Sequence, residues 1–320
     1  MLESIPYGKQ SVSEADIDAV VQVLRSDRLT QGPVVTAFEN AVREKCKTQF
    51  AVAVNSATSA LHIACLSLGV GSGDTVWTSP NTFVASANCA RYCGASVDFI
   101  DIDPSTWCLS EDNLRQKLEA HKTAGKQLPK VVIPVHLSGQ SCEMQEISEL
   151  GKKYGFSVIE DASHAIVGSY RKNPVGNCCY SDVTVFSFHP VKIITTGEGG
   201  MALTNDPEIY ERMARLRTHG ITRDSERMSR EPDGPWYYEQ LELGFNYRMT
   251  DIQATLGLSQ LERLEKFVVR RNQLAQRYDV ALANMPVRTQ HLPADVMTTR
   301  HLYIIRVPAQ KHLKIFKTFR

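Results

Sequence analysis

The residue in this sequence best suited to covalent chemistry is Lys192. It stands among Val191, Ile193 and Ile194, with Ser187, Thr195 and Thr196 on either side and Gly197-Glu198-Gly199-Gly200 following. A solvated lysine more often has polar neighbours. An amine in an apolar, ligand-lined site sheds its proton more readily, which suits Schiff-base chemistry with a carbonyl. The plainer reading is a lysine snorkelling from a strand end. Two other stretches can join it. Glu160-Asp161-Ala162-Ser163-His164 follows directly on an apolar run. Asp161 and His164 there read as an acid–base pair, or Asp161 as a carboxylate holding a protonated ring nitrogen; a loop aspartate capping the next turn is the alternative. Asn55-Ser56-Ala57-Thr58-Ser59-Ala60 ends one apolar run and opens a helical pattern. Free N–H groups at such a helix start, with two or three hydroxyls, make a phosphate cradle; a simple Ser/Thr N-cap is the alternative.

These stretches need elements to position them. Ser13 to Leu24 reads as an amphipathic helix with Ser13 as N-cap, and Val35 to Lys45 as a second. Strands are expected at 50–54, 74–78, 97–101, 130–136, 156–160, 183–188 and 200–204. Helices are expected at 57–68, 81–93, 111–121, 143–154 and 207–219. Strands alternating with helices predict an α/β fold, a mostly parallel central sheet with helices on both faces. Its ligand crevice lies at the carboxyl ends of the strands, where all three stretches fall. Residues 222 to 242, charged and carrying Pro232, Gly234 and Pro235, are expected as an exposed loop. A long, bent helix is expected from about Thr250 to Met285, and a last strand from His301 to Val307.

Among 320 residues, 36 Lys+Arg against 35 Asp+Glu leave a formal net charge of +1. There is no basic excess for nucleic acid. With 42% hydrophobic and 22% charged residues the chain is an ordinary globular one, neither disordered nor fibrous. The eight cysteines include no C-x-x-C pair, so they read as mostly buried thiols of a reducing compartment. No signal peptide and no run of 18 apolar residues is visible, so the expectation is a soluble cytoplasmic protein with no membrane partner. No G-x-G-x-x-G follows the first strand, which argues against a dinucleotide-binding dehydrogenase.

Taken together, Asn55 to Leu61, Pro80-Asn81-Thr82-Phe83-Val84-Ala85-Ser86, Glu160 to Ala165, Ser187 to Lys192 and Glu198-Gly199-Gly200 resemble the DegT-type sugar-nucleotide aminotransferases. Leu29-Thr30-Gln31-Gly32-Pro33 and Gly244 to Asp251 match further family segments in order. The resemblance implies a pyridoxal-phosphate enzyme of transferase fold type I. Lys192 would carry the cofactor as a Schiff base and Asp161 would pair with its ring nitrogen. His164 would lie near the ring oxygen and Phe83 would stack on the ring. Ala57, Thr58 and Ser187 would hold the phosphate, and Asn246 would reach the phosphate in a neighbouring subunit, implying a homodimer with shared sites. Tyr7 and Asp27, Arg28, Leu29 and Thr30 match positions that touch the sugar nucleotide. The implied reaction moves the amine of L-glutamate to a UDP-linked 4-keto-6-deoxy-N-acetyl hexosamine. Asn55 to Leu61 and Phe186 to Thr196 are most like members serving pseudaminic acid biosynthesis. Another sugar 3- or 4-aminotransferase (perosamine-type) is the alternative within the family. A PLP-dependent sugar dehydratase of the same fold would carry His where Lys192 stands.

Family members usually continue some tens of residues beyond the equivalent of Arg320. The resemblance therefore implies a large PLP-binding domain over 1–250 and a partial C-terminal α+β lobe over 251–320. It also implies a fragment or truncation that binds cofactor but handles sugar nucleotide poorly, with Leu302, Ile304, Leu313 and Ile315 lacking partners. A non-catalytic protein that kept the fold is the reading from a different class.

Overall fold

The inner strands of the central sheet are short, mostly apolar runs, and the period of two along each decides what it covers. The computed structural model of the chain describes residues 8–318. Seven strands form the sheet: β1 Phe50–Val54, β2 Thr75–Thr78, β3 Ser96–Phe99, β4 Val131–Ile133, β5 Ser157–Asp161, β6 Val183–Ser187 and β7 Gly200–Thr204, in spatial order β1-β7-β6-β5-β4-β2-β3. The pairs from β6 through β5, β4 and β2 to β3 are parallel. Only β7 runs against its neighbours, pairing antiparallel with both β1 and β6. The reversal brings the first residue of β7, Gly200, opposite the last residues of two strands, Val54 and Ser187.

Helices cover both faces. Val76, Val131, Ile133, Ile159, Val183 and Val185 point to one face, packed under α3 (Ala57–Ser67), α4 (Ala85–Tyr92) and α7 (Pro207–Leu216). The alternate residues Trp77, Val132 and Val158 point to the other, under α5 (Glu111–Thr123) and α6 (Met144–Tyr154). Phe186, Met201 and Leu203 meet α2 (Pro33–Cys46), α8 (Asp251–Leu261) and α9 (Leu264–Leu282). The helix α1 (Glu14–Leu24) starts from a capping box between Ser13 and Asp16 and packs on α8. Asp16 is buried there, accepting from Ser259 Oγ at 2.6 Å and Gln260 Nε2 at 2.8 Å and pairing with Arg263. The buried Asp251 carboxylate caps α2 in turn, accepting from Gly32 N at 2.7 Å, Val34 N at 2.9 Å and Val35 N at 3.3 Å.

Three expected elements differ from those observed. The fourth helix starts at Ala85, not Asn81. Ahead of it the Asn81 side chain donates to the Trp107 carbonyl and the Thr82 and Ser86 hydroxyls bond at 2.7 Å, which holds this stretch out of the helix. The long helix is two, broken at Glu262 and Arg263, where Arg263 turns back to Asp16 and the Ser11 carbonyl. The strand expected at His301 to Val307 shrinks to Ile305–Arg306, paired with Arg288–Thr289, because His301 is drawn inward to Ser138 instead. Beyond it lies α10 (Ala309–Thr318). Ile304 packs against the core under α5 and α6, so it has partners after all, whereas Leu313 is exposed. Residues 222–242 form a largely exposed loop closed by a two-residue ladder, Ile221–Thr222 with Glu239–Gln240. All eight cysteines are free, six of them buried. Among the described residues no helix is long and apolar enough to cross a membrane.

Candidate active site

Parallel strands deliver their carboxyl ends to one edge, and three of these ends build the site. At the end of β1, Ser56 is the N-cap of α3 and accepts from Ser59 N at 3.1 Å, while Ser59 Oγ donates to Asn55 Oδ1 at 2.7 Å. The cap is therefore real, and it occupies the third N–H of the helix. The N–H groups of Ala57 and Thr58 are left without a helix carbonyl, and both residues line the cavity. Gly200 makes room for this helix start. A side-chain carbon there would strike Ala57 N and lie 2.6 Å from the Ser56 carbonyl oxygen.

At the end of β5, successive residues face opposite ways. Glu160 turns away from the cavity into a buried set with His136 Nε2 at 2.7 Å, Ser181 Oγ at 2.5 Å and Thr184 Oγ1 at 3.0 Å. Burial pushes its carboxyl up, but the hydrogen bonds and charge of His136, with the two hydroxyls, outweigh this and hold it below its ordinary value. Asp161, also buried, faces the cavity. Its Oδ2 accepts from Ser86 Oγ at 2.6 Å, and its Oδ1 from Ser163 Oγ at 2.6 Å and Ser163 N at 3.2 Å. These partners orient the carboxylate, so the acid–base pair of Asp161 with His164 is not what forms; the Nδ1 of His164 is buried without a partner. Burial, reinforced by the charge of Lys192, pushes His164 down to about 3.

After β6 the chain turns tightly. Lys192 N donates to the His189 carbonyl at 2.9 Å, Ile193 and Ile194 are buried, and Thr195 Oγ1 and Thr196 N both return to the Phe188 carbonyl at 3.0 Å. This anchors the backbone and leaves the amine to project. Burial lowers the amine's pKa despite the opposing carboxylate of Asp161.

A cavity of about 530 Å³ joins these pieces, lined by Ala57, Thr58, Phe83, Asp161, His164, Ser187 and Lys192 among others. Phe83, 74% exposed, offers a free ring face at its mouth. Seven of the expected site residues thus meet in one place. Asn246 does not: it is exposed, and its carbonyl accepts from Asn55 Nδ2 at 3.5 Å beside the start of α3. Asp27, Arg28, Leu29 and Thr30 are also exposed, in a turn tied to the start of α8 through the Leu29 carbonyl and Asp251 N. Tyr7 lies outside the described residues. Sequence reasoning gave no role to Ser86 or to the Thr299 hydroxyl that holds the His164 carbonyl at 2.5 Å. The hydroxyl four residues before Ser86, at Thr82, was the available signal for the former; nothing local marks the latter.

A mostly parallel sheet with one reversed strand and a lysine on the turn before it defines a pyridoxal-phosphate-dependent transferase of fold type I. The chain belongs, over residues 10–319, to the DegT/DnrJ/EryC1/StrS aminotransferase family, a PLP-dependent family of sugar aminotransferases. A UDP-4-amino-4,6-dideoxy-N-acetyl-beta-L-altrosamine transaminase of Campylobacter jejuni is 38% identical over 303 residues, 94% of this chain and 76% of that protein. Helicobacter pylori PseC, an aminotransferase in the biosynthesis of pseudoaminic acid, superposes with a TM-score of 0.87 at 30% identity, over 97% of this chain and 80% of PseC. A Streptococcus pneumoniae protein described as a sugar aminotransferase, in its PLP-form, gives a TM-score of 0.86 at 30% identity, over 99% and 83% of the two chains.

Proposed function

We propose that this aminotransferase moves the amine of L-glutamate to the C4 keto group of a UDP-linked 4-keto-6-deoxy-N-acetyl hexosamine, giving the 4-amino sugar nucleotide of pseudaminic acid biosynthesis. The observation carrying the chemistry is the convergence of Lys192, Asp161 and the start of α3 on one cavity. The choice of sugar rests on the Campylobacter and Helicobacter relatives.

The residues present fit pyridoxal phosphate. The site offers a helix start kept open by Gly200 at one side, a buried oriented carboxylate, and an amine with lowered pKa. In this reading the N–H groups of Ala57 and Thr58 and the hydroxyls of Thr58 and Ser187 hold the phosphate. Asp161 takes the ring N–H as a charge-assisted hydrogen bond, with Ser86 and Ser163 fixing its two oxygens. Phe83 covers one ring face, and neutral His164 sits by the ring oxygen. When bound, the cofactor supplies the electron sink that lets an amino group change carbon. Lys192 Nζ, whose pKa burial lowers, would accept a proton from the amine-bearing carbon of glutamate and later deliver one to C4 of the sugar. Asn246, beside Asn55, would serve the phosphate of a second copy, and Asp27 to Thr30 would meet the nucleotide, which makes the working form a homodimer; we place it in the cytoplasm.

The test loads the chain with cofactor and glutamate, offers a panel of UDP- and dTDP-linked 4-keto sugars, and identifies the products. Amination at C4 of the UDP-N-acetyl hexosamine is expected; preference for a dTDP sugar or a C3 ketone would reject the proposed substrate. Borohydride reduction and peptide mapping should place cofactor mass on Lys192, and Lys192→Ala should abolish both adduct and turnover. An adduct on another lysine would remove Lys192 from its role.

A further inference from the structure

The described C-terminal segment reaches back to the site at one residue. Thr299 Oγ1 donates to the His164 carbonyl at 2.5 Å, and the His301 ring lies against the His164 ring, centroids 4.3 Å apart and 31° from parallel. The segment itself is pinned at both ends of the contact. Thr299 N donates to the Gly139 carbonyl at 3.2 Å and His301 N to the Ser138 carbonyl at 2.8 Å, while Arg271 Nη1 donates to the His301 carbonyl at 3.0 Å. Gly139 permits this approach: a side-chain carbon there would strike Thr299 Oγ1 and sit 2.8 Å from the His164 carbonyl oxygen.

We propose that His301 is a positioning residue of the active site, backing the His164 ring so that this imidazole meets the cofactor in one orientation and without water behind it. The inference rests on the reading of His164 as a cofactor contact. A histidine kept only for packing normally has its ring nitrogens satisfied. His136 does so here, with Nε2 on Glu160 at 2.7 Å and Nδ1 accepting from Cys142 N at 3.3 Å. The Nδ1 atoms of His164 and His301 are instead both buried with no partner. The groups facing the pair are cations: Lys192 toward both rings and Arg271, from α9, toward His301. Two imidazoles packed against each other beside a lysine and an arginine, with no carboxylate bonded to either ring, remain neutral together. A neutral His164 offers one N–H and one lone pair in fixed directions, and leaves Lys192 as the titrating group on that side of the cavity. His301 does not line the cavity, so it acts through His164.

The test uses the full chain carrying His301→Ala, His301→Asn or His301→Phe. The His164 ring is titrated by NMR with and without pyridoxal phosphate, and cofactor dissociation and the pH midpoint of its absorbance are measured. In the parent, His164 is expected to stay neutral at every pH where the chain is folded. In the Ala and Asn variants water replaces the ring. The His164 midpoint should rise by a unit or more, cofactor affinity should fall about tenfold, and the absorbance midpoint should shift. His301→Phe keeps the ring backing and should restore all three readings. If Ala fails to fold, the Asn–Phe comparison decides. An unchanged His164 titration in Ala or Asn, or a Phe variant as impaired as those two, overturns the proposal. Because the NMR titration is made without cofactor as well, it is independent of whether Lys192 is the labelled lysine.

Discussion

Lys192 occupies a position that favours chemistry over stability. A buried amine with a lowered pKa costs folding free energy wherever the unfolded chain would carry the proton. The sign follows from linkage: below the unfolded value near 10.5 the unfolded state binds more protons, so stability rises with pH toward that value. Lys192→Met should therefore stabilise the cofactor-free chain at pH 7, and the gap between variant and parent should narrow as pH approaches 10. Urea titrations at both pH values check this; a constant gap would mean the gain came from packing alone. Asp161→Asn should retain cofactor binding and lose about a thousandfold in rate, because an amide can accept a hydrogen bond but cannot neutralise a ring N–H. Single-turnover absorbance measures the rate apart from product release, and near-parent turnover would leave Asp161 a structural role. Both residues were visible in the sequence, since each is a charged side chain at the edge of an apolar run. Ser86 and His301 were not. Each earns its place by touching something far along the chain, Asp161 Oδ2 and the ring of His164, and no local pattern announces such a partner.

At the scale of elements, the strands and most helices could be read because period and turn residues agree along them. The failures came at Asn81 to Val84, where side chains drew the backbone elsewhere, and at His301, whose backbone N–H pairs with the Ser138 carbonyl instead of a strand neighbour. The reversal of β7 was also illegible, since apolar alternation carries no direction. That reversal is what seats Gly200 between the ends of β1 and β6 and against the start of α3. Gly200→Ala should push α3 from the strand and spoil the N–H cradle more than the fold. We expect cofactor affinity to fall at least tenfold, about 1.4 kcal/mol, with far-ultraviolet circular dichroism unchanged. Fluorescence titration with pyridoxal phosphate, and with inorganic phosphate as competitor, reads the effect. Parent-like affinity would show that α3 does not hold the phosphate.

Across the whole molecule, the amino-terminal helices are joined to α8 and the residues just after it through carboxylates. Asp251→Ala would orphan the N–H groups of Gly32, Val34 and Val35, and should cost on the order of 3 kcal/mol. A lower urea midpoint with an unchanged slope would confirm it. Acid should act on the same global stability. His164, pushed down to about 3, and His301 both bind protons more readily when unfolded. Their contribution is complete above the unfolded value near 6.5 and is lost as pH falls toward 3, at up to about 1.4 kcal/mol per pH unit for each. Replacing both with Phe should flatten stability over that window.

The cap on α2 also has a meaning in time. A nascent chain meets the ribosome exit with Pro33–Cys46 long before Asp251 exists, and β1 likewise waits for Gly200–Thr204 to pair with. At synthesis rates of roughly 5–20 residues per second the first two helices spend on the order of 10–40 s without the group that caps the start of α2. The strands from β2 to β6, linked by parallel pairs to near neighbours in sequence, can associate during that delay. The amino-terminal arm is then the last part to find its place, and a helper that shields its apolar face would be needed only until residue 251 emerges.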